Sequence, residues 1–350
     1  MDDQNIDIVP ILNGKLNLDI AQILSDIHVE PGDIVVLGGT LIEGIGNPLS
    51  DLDLYVLTPE RRKFGAIKDH NHAFYHRPGF DLCDDDDDEV FLTMNYYEGS
   101  IHVDVEYWSF EELEEIVDKM NRFYQGLLTH TDCCYETPAN AQISNMLHRL
   151  FTGIVIYGDG TYLENVLSAQ FRQSYCYILY RYFANFYWRF RDIVGAHCIE
   201  DYLFGTVLVK NLLLREVRAF NHLRGISNMT EKWYLTYMQQ VAAKEQGNLA
   251  ERAIELFHYR SAKDGLPYIR EVLSLIEDLE RANRHILNQG GLMLTCEQSL
   301  DMLERETRNR KATDGPAQQH ELMFRSRTYS DDAPSYAELL DIGMPNRQWA

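Results

Sequence analysis

The sequence predicts an α+β fold: a small mixed sheet with helices near the N-terminus, followed by an all-α helical bundle. Three observations predict it. Short apolar runs bounded by turn residues recur through the first 110 residues. Two of those runs alternate apolar with acidic side chains at period two, which is strand spacing. From about residue 110 onward the apolar spacing changes to that of helices. Residues 1–130 are accordingly assigned to one domain, 131–305 to a helical second domain, and 306–350 to a polar, partly flexible C-terminal tail.

The elements follow in order. Residues 18–27 (LDIAQILSDI) have helical spacing and stop at Pro31-Gly32. DIVVL (33–37) and DLYVL (53–57) are short buried-strand runs. EVFLTM (89–94) and SIHVDVEYW (100–108) are two more, joined by a hairpin turn at Tyr96-Tyr97-Glu98-Gly99. Ser109 followed by Glu112 is a capping box that opens a helix to about Tyr124. Thr137 with Pro138 behind it opens another, to about Phe151. Long helical patterns then cover about 161–194, 199–223, 230–243 and 267–287, and a short helix is allowed around 335–340 in the tail.

Composition narrows the function classes. A 45% hydrophobic and 11% aromatic content in 350 residues supports well-filled cores. The formal net charge of −22 argues against a protein that embraces duplex nucleic acid, because phosphate neutralisation needs a basic face. It suits a small or cationic partner. No apolar run is long enough to span a membrane, and the acidic start MDDQNIDIVP has no secretory pattern. Six scattered cysteines form no CxxC pair, so they read as reduced thiols of a cytoplasmic protein. The run Asp84–Asp88 reads as a solvated acidic loop, and His70, His72 and His76 are too irregularly spaced for a metal motif. In the aromatic run 171–192, Phe171, Tyr175, Leu179, Tyr182 and Phe186 fall at core spacing, leaving Tyr177, Tyr180 and Tyr187 as candidates for stacking on a base or sugar.

The chemistry concentrates in GGTLIEGIGNPLSDLDLYV (38–56). Asp51 and Asp53 are separated by one residue, so a strand points both to one face while Leu52 and Leu54 point to the other. Two carboxylates so placed repel unless a cation lies between them. In IHVDVEYW, Ile101, Val103 and Val105 form one face and His102, Asp104 and Glu106 the other. If that strand neighbours Asp53, Asp104 or Glu106 completes a three-carboxylate cluster. Gly38-Gly39-Thr40 at a strand end lets backbone N–H groups approach a phosphate, with the Thr40 hydroxyl as a further donor. The stretch lacks the Lys-Ser/Thr of a P-loop and the GxGxxG of a dinucleotide-binding turn.

LGGTLIEGIGNPLSDLDLYV resembles the nucleotidyltransferase superfamily named after DNA polymerase β, over about residues 18–108. The resemblance implies that Gly38, Gly39, Thr40 and Ser50 meet the phosphates of an NTP, ATP most often. It further implies that Asp51 and Asp53 hold magnesium, two ions in all, and that a later strand supplies a third metal-binding carboxylate and general base. Asp104 is favoured for that role, with Glu106 as the alternate. Residues 206–238 look like the helical domain of aminoglycoside nucleotidyltransferases, which implies that Lys210 and Lys232, the latter just before Trp233, lie near the triphosphate. The implied reaction is magnesium-dependent NMP transfer to a hydroxyl of a small, cationic, aminoglycoside-like acceptor. Other members modify proteins, as in toxin–antitoxin pairs, or make signalling oligonucleotides. A non-catalytic nucleotide-binding protein is a further reading.

Overall fold

The computed structural model describes residues 8–12, 14, 16–62, 73–75, 92–98, 101–130, 137–244, 248–258, 265–309 and 316–343. The acidic run Asp84–Asp88, the three histidines 70, 72 and 76, and Cys83, Cys133 and Cys134 lie outside them. The chain forms two compact units. The first comprises Met1–Met120 and Ala139–Phe171, the second Asn121–Pro138 and Arg172–Ala350. Fold class is as the sequence predicts: mixed α and β at the start, helical thereafter.

In the first unit, β1 (Ile8–Ile11) and β2 (Leu16–Asp19) make an antiparallel pair. Helix α1 (Ile20–Asp26) starts at Asp19, whose carboxylate accepts the N–H of Gln22 at 3.1 Å. Leu18 is therefore a strand residue opposite Val9, not the first residue of the helix. The main sheet holds β3 (Ile34–Gly38), β4 (Leu52–Thr58), β5 (Ala73–Tyr75), β6 (Leu92–Glu98), β7 (Ile101–Ser109) and β8 (Ile154–Tyr157), in the order β5-β6-β7-β4-β3-β8. Among the described strands of this sheet, only β4 and β7 pair in parallel. In β7 the expected alternation holds: Ile101, Val103 and Val105 are buried, while His102, Asp104 and Glu106 are partly exposed.

Helix α2 (Phe110–Leu127) opens on the expected capping box: Ser109 N–H donates to Glu112 at 2.7 Å, and Glu112 N–H donates to the Ser109 hydroxyl at 3.2 Å. Helix α3 (Ala141–Thr152) starts at Asn140, not at Thr137, because the Asn140 side chain accepts the N–H of Ile143 at 2.8 Å. Asparagine caps at least as well as threonine, and this one directly precedes the apolar run. A short α4 (Thr161–Val166) follows β8.

The second unit is built from most of α5 (Ala169–Phe183), then α6 (Tyr187–Cys198), α7 (Tyr202–Leu223), a 3-10 turn (Glu231–Trp233), α8 (Tyr234–Ala242), α9 (Leu249–His258), α10 (Gly265–Leu287), α11 (Cys296–Asn309), α12 (Pro316–Arg327) and α13 (Tyr336–Ile342). The single long helix expected over 161–194 is three helices. Asn185 at φ +60 sits in the break before α6, a left-handed conformation that asparagine tolerates. Tyr177, Tyr180 and Tyr187 are buried, which removes them as stacking candidates. The rings of Tyr177 and Tyr180 on α5 and of Tyr187 on α6 pack into the protein; Tyr187, for example, pairs with His320 at 3.0 Å. Among the described residues of the tail, α12 and α13 are helical. Ser335 and Glu338 form a capping box, and Phe324, Tyr336, Leu339 and Leu340 join the helical core. Among the described residues no helix is long and apolar enough to cross a membrane, and Cys176, Cys198 and Cys296 are free thiols.

One buried charge in this core predicts a pH response. Glu216 on α7 is sealed from solvent, and one of its oxygens has no hydrogen-bond partner. Burial, and secondarily the nearby Glu280, push its carboxyl up to about 8. Glu280 is raised in the same direction by burial, against the pull of Arg327 and the Tyr336 hydroxyl. A native acid that keeps its proton while the unfolded chain has lost it stabilises the fold at low pH. That stability disappears as pH rises from about 5 toward 8, by up to about 1.4 kcal/mol per unit. Denaturant midpoints measured across this window are expected to fall with pH, and Glu216→Gln is expected to flatten the slope. An unchanged slope in the variant would show that Glu216 is already ionised in the native state.

Candidate functional site

The site is assembled where β3 ends and β4 and β7 begin. Buried apolar runs drive β3 and β4 together as antiparallel neighbours, which puts Gly38 opposite Asp53. Asp53 is in turn directly opposite Asp104 on the parallel strand β7, and Tyr55 opposite Glu106. Asp51, just before β4, completes a second association: ligand atoms of Asp51, His102 and Asp104 all lie within 4.8 Å of one another. His102 Nε2 is 3.5 Å from an Asp104 oxygen. Two carboxylates and an imidazole with their donor atoms this close form a chemically sensible divalent-ion set.

Asp53 takes part differently. Arg149 on α3 donates from Nε to Asp53 Oδ2 at 2.9 Å and from Nη1 to Glu43 at 3.1 Å. His148 Nε2 lies 3.1 Å from the same Glu43 oxygen. Glu43 reaches them because the chain after Gly39 coils tightly: Ile42 and Glu43 N–H donate to the Gly39 carbonyl, and Ile45 and Gly46 N–H to the Thr40 carbonyl. All four side chains of this network are largely shielded, Arg149 being 13% exposed and Asp53 19%.

The glycines answer to the same crowding. Gly39 has φ +102, and a Cβ there would lie 2.6 Å from Asp53 Oδ2. A Cβ on Gly38 would press on the Arg149 side chain at 3.1 Å. The pair therefore makes room for the carboxylate and its arginine. Thr40 is buried. Ser50 is partly exposed; its hydroxyl accepts the Asn47 N–H at 3.0 Å and so shapes the turn before Asp51.

Electrostatics separate the carboxylates. Burial raises Asp53, and Asp51 raises it further against the pull of Arg149. Asp104 rises to about 6, first through burial and then through Asp51 and Asp53, with His102 opposing. Glu106 rises to about 7, again mainly through burial, although Trp108 Nε1 donates to it at 3.1 Å. It lies two residues further along the same partly exposed face of β7, outside the Asp51–His102–Asp104 group.

Among the residues singled out in the sequence, Gly38, Gly39, Thr40, Ser50, Asp51, Asp53, Asp104 and Glu106 fall in the first unit. Lys210 and Lys232 fall in the second, where their ammonium groups each lie 5.5 Å from a ring centroid, of Tyr268 and Trp233 respectively. Sequence reasoning placed His102 on the right face but gave it no role, and it missed Glu43, His148 and Arg149. Glu43 lay in a loop without a motif, and nothing in the pattern of α3 distinguishes His148 and Arg149 from ordinary surface residues of an amphipathic helix.

The comparisons add little to this geometry. No family model and no curated protein matches the chain. Among solved structures it is similar to a nucleotidyltransferase-like protein from Exiguobacterium sibiricum 255-15, at 14% identity and a TM-score of 0.36, covering 85% of this chain and 80% of that one. A score this low leaves the fold of this chain to be argued from its own strands and helices.

Proposed function

We propose that the chain is a magnesium-dependent nucleotidyltransferase that moves an NMP, AMP in the simplest case, from an NTP to a hydroxyl group of a small cationic acceptor. The observation that carries this reading is the placement of Asp51, Asp53 and Asp104 together on adjoining strands, beside the Gly38-Gly39-Thr40 turn. Divalent ions held there would neutralise the triphosphate and the departing pyrophosphate. Asp51 and Asp104 supply carboxylate oxygens for that purpose, and the turn offers its N–H groups to the phosphates. Asp104 is suited to take the proton of the attacking hydroxyl, since its raised carboxyl ionises near neutral pH. The acceptor oxygen bonds to the α-phosphorus, the bond to pyrophosphate breaks, and the proton passes to Asp104. Lys210 and Lys232 remain proposed triphosphate contacts.

The test is pyrophosphate release from each NTP with magnesium, against pools of hydroxyl-bearing acceptors, with radiolabel followed into product. Asp51→Ala and Asp53→Ala are expected to abolish release; retained activity in either would sink the mechanism. Label on a protein or in a new oligonucleotide would redirect the acceptor class. A second reading, nucleotide binding without turnover, is favoured by one observation: Asp53 is already held by Arg149. Tight NTP binding with no release across all acceptors would decide for it.

A further inference from the structure

The pattern Asp-x-Asp leads one to expect that both aspartates are metal ligands of one kind, yet this chain treats them differently. Asp53 has a cation within bonding distance, the Arg149 guanidinium, which is fixed on its other side by Glu43. Asp51 and Asp104 have no arginine or lysine bonded to them among the described residues; the only basic group there is His102. The uncompensated charge is therefore on Asp51 and Asp104, and the group that converges with them is an imidazole.

We propose that Arg149 takes the place of one cation at this centre: it holds Asp53 out of the ligand set, and the protein alone binds a single divalent ion through Asp51, His102 and Asp104. Three features support this. The guanidinium forms a charge-assisted bond to Asp53 Oδ2, which offsets that carboxylate's charge, and arginine stays protonated at any working pH. Glu43, set in a tight turn and itself held by His148, fixes the other side of Arg149, so the cation is built in rather than borrowed from solvent. His102 brings nitrogen into an otherwise oxygen donor set, which shifts preference from Mg2+ toward first-row transition ions such as Mn2+. The inference deepens the proposed function by describing how the same carboxylates are charged, and it can be read without nucleotide.

The experiment titrates the full chain with Mn2+ alone, counting free ion by electron paramagnetic resonance, with Mg2+ as competitor. Wild type is expected to bind one Mn2+ per chain. Asp51→Asn, Asp104→Asn and His102→Ala should each weaken it about tenfold or more, whereas Asp53→Asn should stay within about threefold. His102→Ala should cost Mn2+ more than Mg2+. Arg149→Met should free Asp53 and add a second, weaker ion; if that variant does not fold, Asp53→Asn carries the test. Two ions bound by wild type, Asp53→Asn as damaging as Asp51→Asn, or His102→Ala without effect on Mn2+ would each overturn the proposal. The two readings fail separately. One bound Mn2+ with no pyrophosphate release from any NTP removes the enzyme and leaves the ion site; release without a Mn2+ site does the reverse.

Discussion

Asp104→Asn is expected to lower nucleotidyl transfer by about 10²–10³-fold, while Glu106→Gln lowers it by less than about tenfold. The two residues share one face of β7 and were indistinguishable by periodicity. The parallel register separates them: Asp104 is level with Asp53 and converges with Asp51 and His102, whereas Glu106 is level with Tyr55 and accepts a bond from Trp108. Asparagine keeps the size of Asp104 and removes both its charge and its capacity to take a proton. The measurement is kcat and KM for pyrophosphate release, with the thermal midpoint recorded for each variant. A transition-state role lowers kcat with little change in the midpoint. Equal losses for both variants would mean that the carboxylates act as one buried pair, and the assignment of Asp104 would fail.

The second large effect is Gly39→Ala. The residue has φ +102, where an L-residue is strained by about 1–3 kcal/mol even without neighbours. Here the new methyl group would also lie 2.6 Å from Asp53 Oδ2, the oxygen that receives Arg149 Nε. Relief requires moving Asp53, which breaks its ion pair in a mostly shielded setting and leaves charges poorly compensated. Gly44→Ala is the control. It lies in the same loop at φ +74, but nothing approaches its Cβ position within 4 Å. Urea unfolding of the two variants should show Gly39→Ala losing clearly more stability than Gly44→Ala, and only the former should lose activity. Equal stability losses would mean that Asp53 yields freely, contrary to its anchoring by Arg149.

Much of the site was legible because its signals are local. Strand alternation set the faces of 101–106 and of 51–54, and the glycine pair before them marked a turn under steric demand. The Ser109–Glu112 capping box identified where β7 gives way to α2. Local signals failed where a competing interaction won. Asn140 outcompeted Thr137 as a cap, and the break at Asn185 split a continuous helical pattern. The tail's few apolar residues, Phe324, Tyr336, Leu339 and Leu340, found a core among many polar neighbours. The loop 41–49 had no readable chemistry, yet its turn delivers Glu43 to Arg149.

The sequence by itself determined that this chain carries two acidic strand edges and a glycine turn, because side-chain alternation and backbone freedom are properties of adjacent residues. Only the tertiary structure decided which of those groups meet. Parallel pairing of β4 with β7 matched Asp53 to Asp104, and the packing of α3 against the sheet brought Arg149 to a carboxylate far away in the chain. Register and helix docking are settled by the burial of the opposite, apolar faces. The polar partners are carried into place by residues that take no part in the chemistry.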